Sequence, residues 1–165
     1  MPELVGLLVL GVLTIVQSVF IRQVVLLQGS ADIVMLMLVA WALQRRVRRS
    51  WVWILFAAGM VAFLSAVPFF VWLGGYLAVT LLAAWLRRTG WRIPAVGMLG
   101  LAIAGTFLVQ MPAWVVLRIA GTPIPFLLAV RRVILPSMLL NLLFALPVYS
   151  LASDLASWVF PANEP

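Results

Sequence analysis

Apolar residues fill this chain in long runs, and the breaks between them are of two kinds, arginine clusters and Gly/Pro pairs. The first run predicts a helix over residues 4–20, closed by Arg22 and Gln23. Ser30 is placed to cap a second helix over 31–44, with Asp32 in its first turn, where a negative charge complements the helix dipole. That helix stops at Arg45, Arg46, Arg48 and Arg49. The next apolar stretch is too long for one crossing of a bilayer and contains Pro68 and Gly74-Gly75, so it reads as a hairpin of helices 51–66 and 72–86. Arg87, Arg88 and Arg92 end it, and Pro94 suits the first turn of a helix over 94–110. Pro112, Gly121, Pro123 and Pro125 argue for an interfacial segment over 111–130, flanked by Trp114 and Arg118, before a last helix over 136–158 that Pro147 kinks. No run alternates as a barrel strand would.

The pattern predicts an all-α, polytopic integral membrane bundle of about six transmembrane helices, one domain over residues 1–165. Composition agrees: 66% of residues are hydrophobic and 9% charged, outside the range of soluble domains, so lipid has to cover the surplus apolar surface. The Met-Pro-Glu start carries no basic n-region, and the first run is expected to stay as an anchor. The net charge of +7 comes from arginines at the ends of apolar runs rather than from a basic stripe interleaved with aromatics, so no nucleic-acid partner is expected. With both termini cytoplasmic, the inner loops would hold the arginines at 45, 46, 48, 49, 87, 88 and 92, and the outer ones those at 22, 118, 131 and 132. That excess favours this orientation.

Candidate chemistry is sparse. The chain has no His, Cys or Lys, and its acids are Glu3, Asp32, Asp154 and Glu164, so triads, metal sites and Schiff bases lack members; neither catalysis nor a cofactor is expected. Thr14, Gln17 and Ser18 share a helix face by spacing, and Ser137 and Asn141 form an i, i+4 pair. Both groups read more simply as bonds between helices than as contacts to a ligand or partner. Asp32 likewise reads first as a cap. Asn141, the deepest amide, is expected to face protein, with Asn141→Leu only mildly destabilising. The pairs Ala58/Ala62 and Gly100/Ala104 have a spacing that permits close helix approach. Arg131 and Arg132, placed outside against the charge rule, are candidate partner contacts.

Val16-Gln17-Ser18-Val19-Phe20 and Ser30-Ala31-Asp32-Ile33-Val34-Met35-Leu36 resemble the first helix and the second-helix start of the rod shape-determining protein MreD family. Arg132 to Asn141, continuing through Ala145-Leu146-Pro147-Val148-Tyr149, is similar to that family's closing helix. In the middle hairpin Gly59 and Leu73-Gly74 fit, whereas Phe63 and Val67 stand about where a Gly and an Asp are usual, and Ala31 replaces the usual Pro before Asp32. The resemblance implies a non-enzymatic scaffold subunit of the bacterial cell-elongation machinery in the inner membrane. It implies MreC, a single-span protein, as direct partner, and a wider assembly with MreB, RodA and a penicillin-binding transpeptidase. The family is similar in fold to the substrate-binding membrane subunits of energy-coupling-factor transporters, so a small-molecule-binding subunit of a vitamin-type transporter is the alternative.

Overall fold

The computed structural model describes residues 2–20, 28–44, 51–65, 67–90 and 93–159, and the regular structure among them is helical. The helices are α1 (Pro2–Phe20), α2 (Ile33–Leu43), α3 (Trp51–Phe63), α4 (Phe69–Arg88), α5 (Pro94–Ile119), α6 (Phe126–Ala129) and α7 (Leu135–Val159), with a π-helical turn at Val130–Ile134 joining the last two. Arg22, Arg45, Arg46, Arg48, Arg49 and Arg92, on which part of the topology argument rests, lie outside the described residues, as does Glu164. Among the described residues, three helical stretches are long and apolar enough to cross a membrane: Phe69–Arg88, Pro94–Ile119 and the continuous Phe126–Val159. Leu8–Val19, Ile33–Leu43 and Val52–Phe63 are shorter apolar helices.

The bundle is organised around α2. This helix has 11 residues, about 16 Å at 1.5 Å per residue. Val34 through Leu43 are all buried. A helix that is apolar all round has no preferred outer face, and the stable place for it is the middle of a bundle. It packs most extensively on α7 and α4, and also on α5 and α1. Trp41 stacks on Trp53 of α3, centroids 4.2 Å apart. The outer faces carry the reverse of a soluble surface. Leu8, Val12, Ile15 and Val19 expose one stripe of α1, and Leu139, Leu143 and Leu146 expose another on α7. Apolar stripes of this extent fit a hydrocarbon solvent.

Close approach is set by glycines other than those the spacing picks out. A Cβ on Gly105 of α5 would lie 2.8 Å from Val79 Cγ2 and 2.9 Å from Met35 Sδ, so α2, α4 and α5 meet at this point. A Cβ on Gly75 of α4 would come within 3.1 Å of the Val109 Cα. Gly100, by contrast, has nothing within 4 Å. Gly75 beside Val109 and Gly97 beside Leu86 show that α4 and α5 run antiparallel.

Two expected boundaries move. The interfacial segment expected over 111–130 shrinks to residues 120–125, because α5 continues through Pro112 to Ile119. Proline there removes only the donor to the Leu108 carbonyl, and that carbonyl lies against Gly75, where the missing side chain lets α4 approach. Prolines inside apolar helices are tolerated where a neighbouring helix covers the freed group. Trp114 Nε1 and Arg118 Nη1 both donate to the Ile124 carbonyl at 3.3 Å, and Phe126 meets the Trp114 ring edge-on, so the loop folds back on α5. The last helical rod begins at Phe126 rather than at 136, through the π turn.

Candidate functional site: a buried polar lattice at the entry to α2

A helix start packed among other helices leaves N–H groups that in an apolar setting must each find a partner, and here the bonds are part-buried, with Gln28 and Ser30 exposed at the outer edge. Here the chain leading into α2 is satisfied by side chains and backbone from other helices. The Gln28 N–H donates to the Arg132 carbonyl at 3.1 Å. In an α-helix the donor to that carbonyl would be residue 136, which is a proline without an N–H, so the carbonyl is open to an outside donor. The Ser30 N–H donates to Ser137 Oγ at 3.0 Å and the Asp32 N–H to Asn141 Oδ1 at 2.7 Å. Asn141 Nδ2 passes the chain on to Thr106 Oγ1 of α5 at 2.9 Å, and Thr106 itself donates to the Ala102 carbonyl at 2.7 Å.

Asp32, not Ser30, is the N-cap of α2: its Oδ1 accepts from the Met35 N–H at 2.9 Å. Ser30 lies two residues too early because the chain from 28 to 32 is bonded to the last helical rod before α2 begins. The next orphan, the Val34 N–H, is taken by Gln17 Oε1 of α1 at 3.0 Å. The Asp32 carboxylate also accepts from the Tyr76 hydroxyl of α4, 3.2 Å to one oxygen and 3.1 Å to the other. Gly29 makes the register possible. A Cβ there would fall 2.5 Å from the Ser137 nitrogen and 2.7 Å from the Pro136 Cβ.

The lattice brings together Gln17, Asp32, Ser137 and Asn141 and separates the rest of the expected set. Ser18 turns back to the Ile15 carbonyl at 2.8 Å and Thr14 to the Leu10 carbonyl at 2.7 Å, so the polar face expected on α1 divides: only Gln17 reaches α2. Thr14 and Ser18 instead border an apolar cleft of about 540 Å³ between α1 and α3, walled by Leu55, Phe56, Met60 and Phe63. Arg131 and Arg132 stand exposed on the π turn. Asp154 is exposed on α7, away from the lattice.

Two members escaped the sequence reading, Tyr76 and Thr106. Both are fully or almost fully buried. Each carried a signal, since each follows a glycine that proves to be a close-approach site, Gly75 and Gly105. A hydroxyl next to such a glycine is brought within reach of the neighbouring helix.

Chemically, the arrangement is a set of caps and cross-links. Asp32 is committed to a helix N-terminus and a tyrosine hydroxyl, and among the described residues no group of three His, Cys, Asp or Glu could hold a metal ion. Fold and lattice together define an all-helical protein with helices long and apolar enough to span a membrane, in which the polar side chains of this lattice bond its own chain. No protein-family model, curated protein or solved structure matches it.

Proposed function

We propose that this protein is a non-enzymatic membrane scaffold of the bacterial cell-elongation machinery, as its resemblance to the MreD family implies, and that it binds the single-span protein MreC directly. The wider assembly would include MreB, RodA and a penicillin-binding transpeptidase. What supports the reading is where the interior polar groups go: Gln17, Asp32, Tyr76, Thr106, Ser137 and Asn141 all bond within the chain. A transporter subunit would turn such convergent groups toward a cavity for its ligand. An enzyme would leave an acid, base or nucleophile addressable. Here the outward features are apolar stripes and arginines at the helix ends, which suit binding to lipid and to another membrane protein.

Arg131 and Arg132 are the proposed polar contribution to the partner interface. They sit on the π turn whose backbone is tied to Gln28, so a partner meets them on a fixed platform. Reversing both to Glu is expected to lower co-purification of MreC from mild detergent by about tenfold or more, because like charges across an interface cost several kcal/mol. Membrane insertion should be unaffected. Unchanged co-purification would take these arginines out of the interface, and cells that stay rod-shaped with MreC still assembled after depletion of the protein would end the scaffold reading.

The same proposal includes six crossings in the inner membrane with both termini cytoplasmic. The chain contains no cysteine, so single substitutions report cleanly. Thr89→Cys, after α4, should be protected from a membrane-impermeant thiol reagent in intact spheroplasts, and Thr122→Cys, after α5, should be labelled. The opposite pair of results would invert the orientation, and equal labelling of the two would break the crossing scheme.

A further inference from the structure

A second cleft, of about 320 Å³, lies at the far end of α2 from the lattice, where the C-terminus of α2, the start of α5 and the last third of α7 converge. Leu43, Pro94 and Ala156 form its apolar walls, and Gln44, Tyr149, Ser153 and Ser157 its polar ones. Gln44 Nε2 is buried here without a hydrogen-bond partner among the described residues. Buried amide donors are nearly always paired, so an unpaired one lining a cleft points to an acceptor that comes from outside the chain. The residue is held firmly: its N–H donates to the Trp41 carbonyl at 3.1 Å, and its carbonyl accepts from Arg87 Nη1 at 2.8 Å.

The surroundings favour an anion. Arg87 and Arg88 close α4 at this end. Tyr149, Ser153 and Ser157 recur at four-residue spacing on one face of α7, adding hydroxyls to the amide donor. The Ser157 hydroxyl is already donated to the Asp154 carbonyl at 2.7 Å, which leaves its oxygen as an acceptor for a glycerol or phosphate hydroxyl. Asp154, the acidic group nearest in sequence, is exposed and sits about 100° round the helix from Ser153. Pro94 on the wall is exposed, and apolar helices giving way to arginines mark the depth of lipid phosphates.

We propose that this cleft binds a phosphate-bearing headgroup, with the Gln44 amide and the Ser153 hydroxyl as its direct donors. The site is independent of the elongation reading and would stand if that reading fell. The test uses the full chain in nanodiscs of phosphatidylcholine containing a minor share of phosphatidylglycerol, with the lipid retained after extraction into detergent counted by native mass spectrometry. The expected result is one retained phosphatidylglycerol per chain, reduced about tenfold in Gln44→Leu and in Ser153→Leu, the effect of one lost hydrogen bond to a charged group. Ser153→Leu fills the cleft from a half-buried position of an apolar helix, so it decides alone if Gln44→Leu does not fold. Displacement of the lipid by millimolar glycerol 3-phosphate in the parent but not in the variants would assign the same site to a soluble phosphate ester. Retention unchanged in a folded variant would overturn the proposal. So would failure of the parent to hold either probe.

Discussion

Gly29→Ala is expected to lower the stability of the purified protein in detergent by about 1–3 kcal/mol or more, the range for forcing a methyl group into a packed interior. The added Cβ would meet the Ser137 nitrogen at 2.5 Å and the Pro136 backbone carbon at 2.9 Å, and backbone cannot rotate aside as the end of a side chain can. Relief requires α7 to move away from the 28–32 segment, which also stretches the bonds from Gln28, Ser30 and Asp32. Gly100→Ala is the matched control. Nothing lies within 4 Å of its Cβ, and replacing a mid-helix glycine by alanine should stabilise by roughly 0.5–1 kcal/mol. Thermal melts of the two variants should therefore shift in opposite directions. A Gly29→Ala protein as stable as its parent would show that the 28–32 segment is not held against α7 as described.

The second large effect is expected at Asn141. Intramembrane side-chain bonds average well under about 1 kcal/mol, which is why the sequence alone predicts a mild result for Asn141→Leu. The structure raises the figure. Asn141 is fully buried and its Oδ1 is the acceptor for the backbone N–H of Asp32 at 2.7 Å, so leucine strands a backbone donor. An orphaned buried donor costs about 1–3 kcal/mol. Thr106→Val removes the acceptor of Asn141 Nδ2 and the side-chain donor to the Ala102 carbonyl but strands no backbone N–H, and should cost less. Because the two residues share one chain of bonds, the double variant should lose less than the sum of the singles. Strict additivity in chemical or thermal unfolding would mean that Thr106 and Asn141 act separately.

Much of this architecture was legible in the sequence because lipid makes the rules strict. The arginine seams and Pro68 locate the helix ends at α3, α4 and the start of α5, and uniform apolarity from Ile33 to Leu43 is what a central helix needs. Asp32 as a cap and Asn141 as an inward amide follow from the cost of leaving polar atoms in hydrocarbon. The misses share a cause. Pro112 reads as a breaker and Pro136 as a helix start, yet a proline's effect depends on whether a neighbour covers the carbonyl it frees, and Gly75 and Gln28 do that from distant parts of the chain. The cap moved from Ser30 to Asp32 for the same reason, since Ser137 and Asn141 of α7 take the Ser30 and Asp32 N–H groups. Local spacing cannot report such long-range contacts, and it also missed Tyr76 and Thr106, whose roles exist only once α4 and α5 have docked.

The lattice also sets an order for assembly. Ser30 and Asp32 find their acceptors 107 and 109 residues further along the chain. At about 5–20 residues per second, a ribosome needs roughly 5–20 s to make that stretch. During this interval the entry to α2 holds donors that neither lipid nor the already completed α1 can fully satisfy. The first helices must therefore wait, sheltered by the insertion machinery or left shallow in the interface, until the closing rod arrives. Fragments cut before residue 130 would lack the acceptors altogether, so topology maps built from truncated fusions of this protein would record the waiting state rather than the finished one.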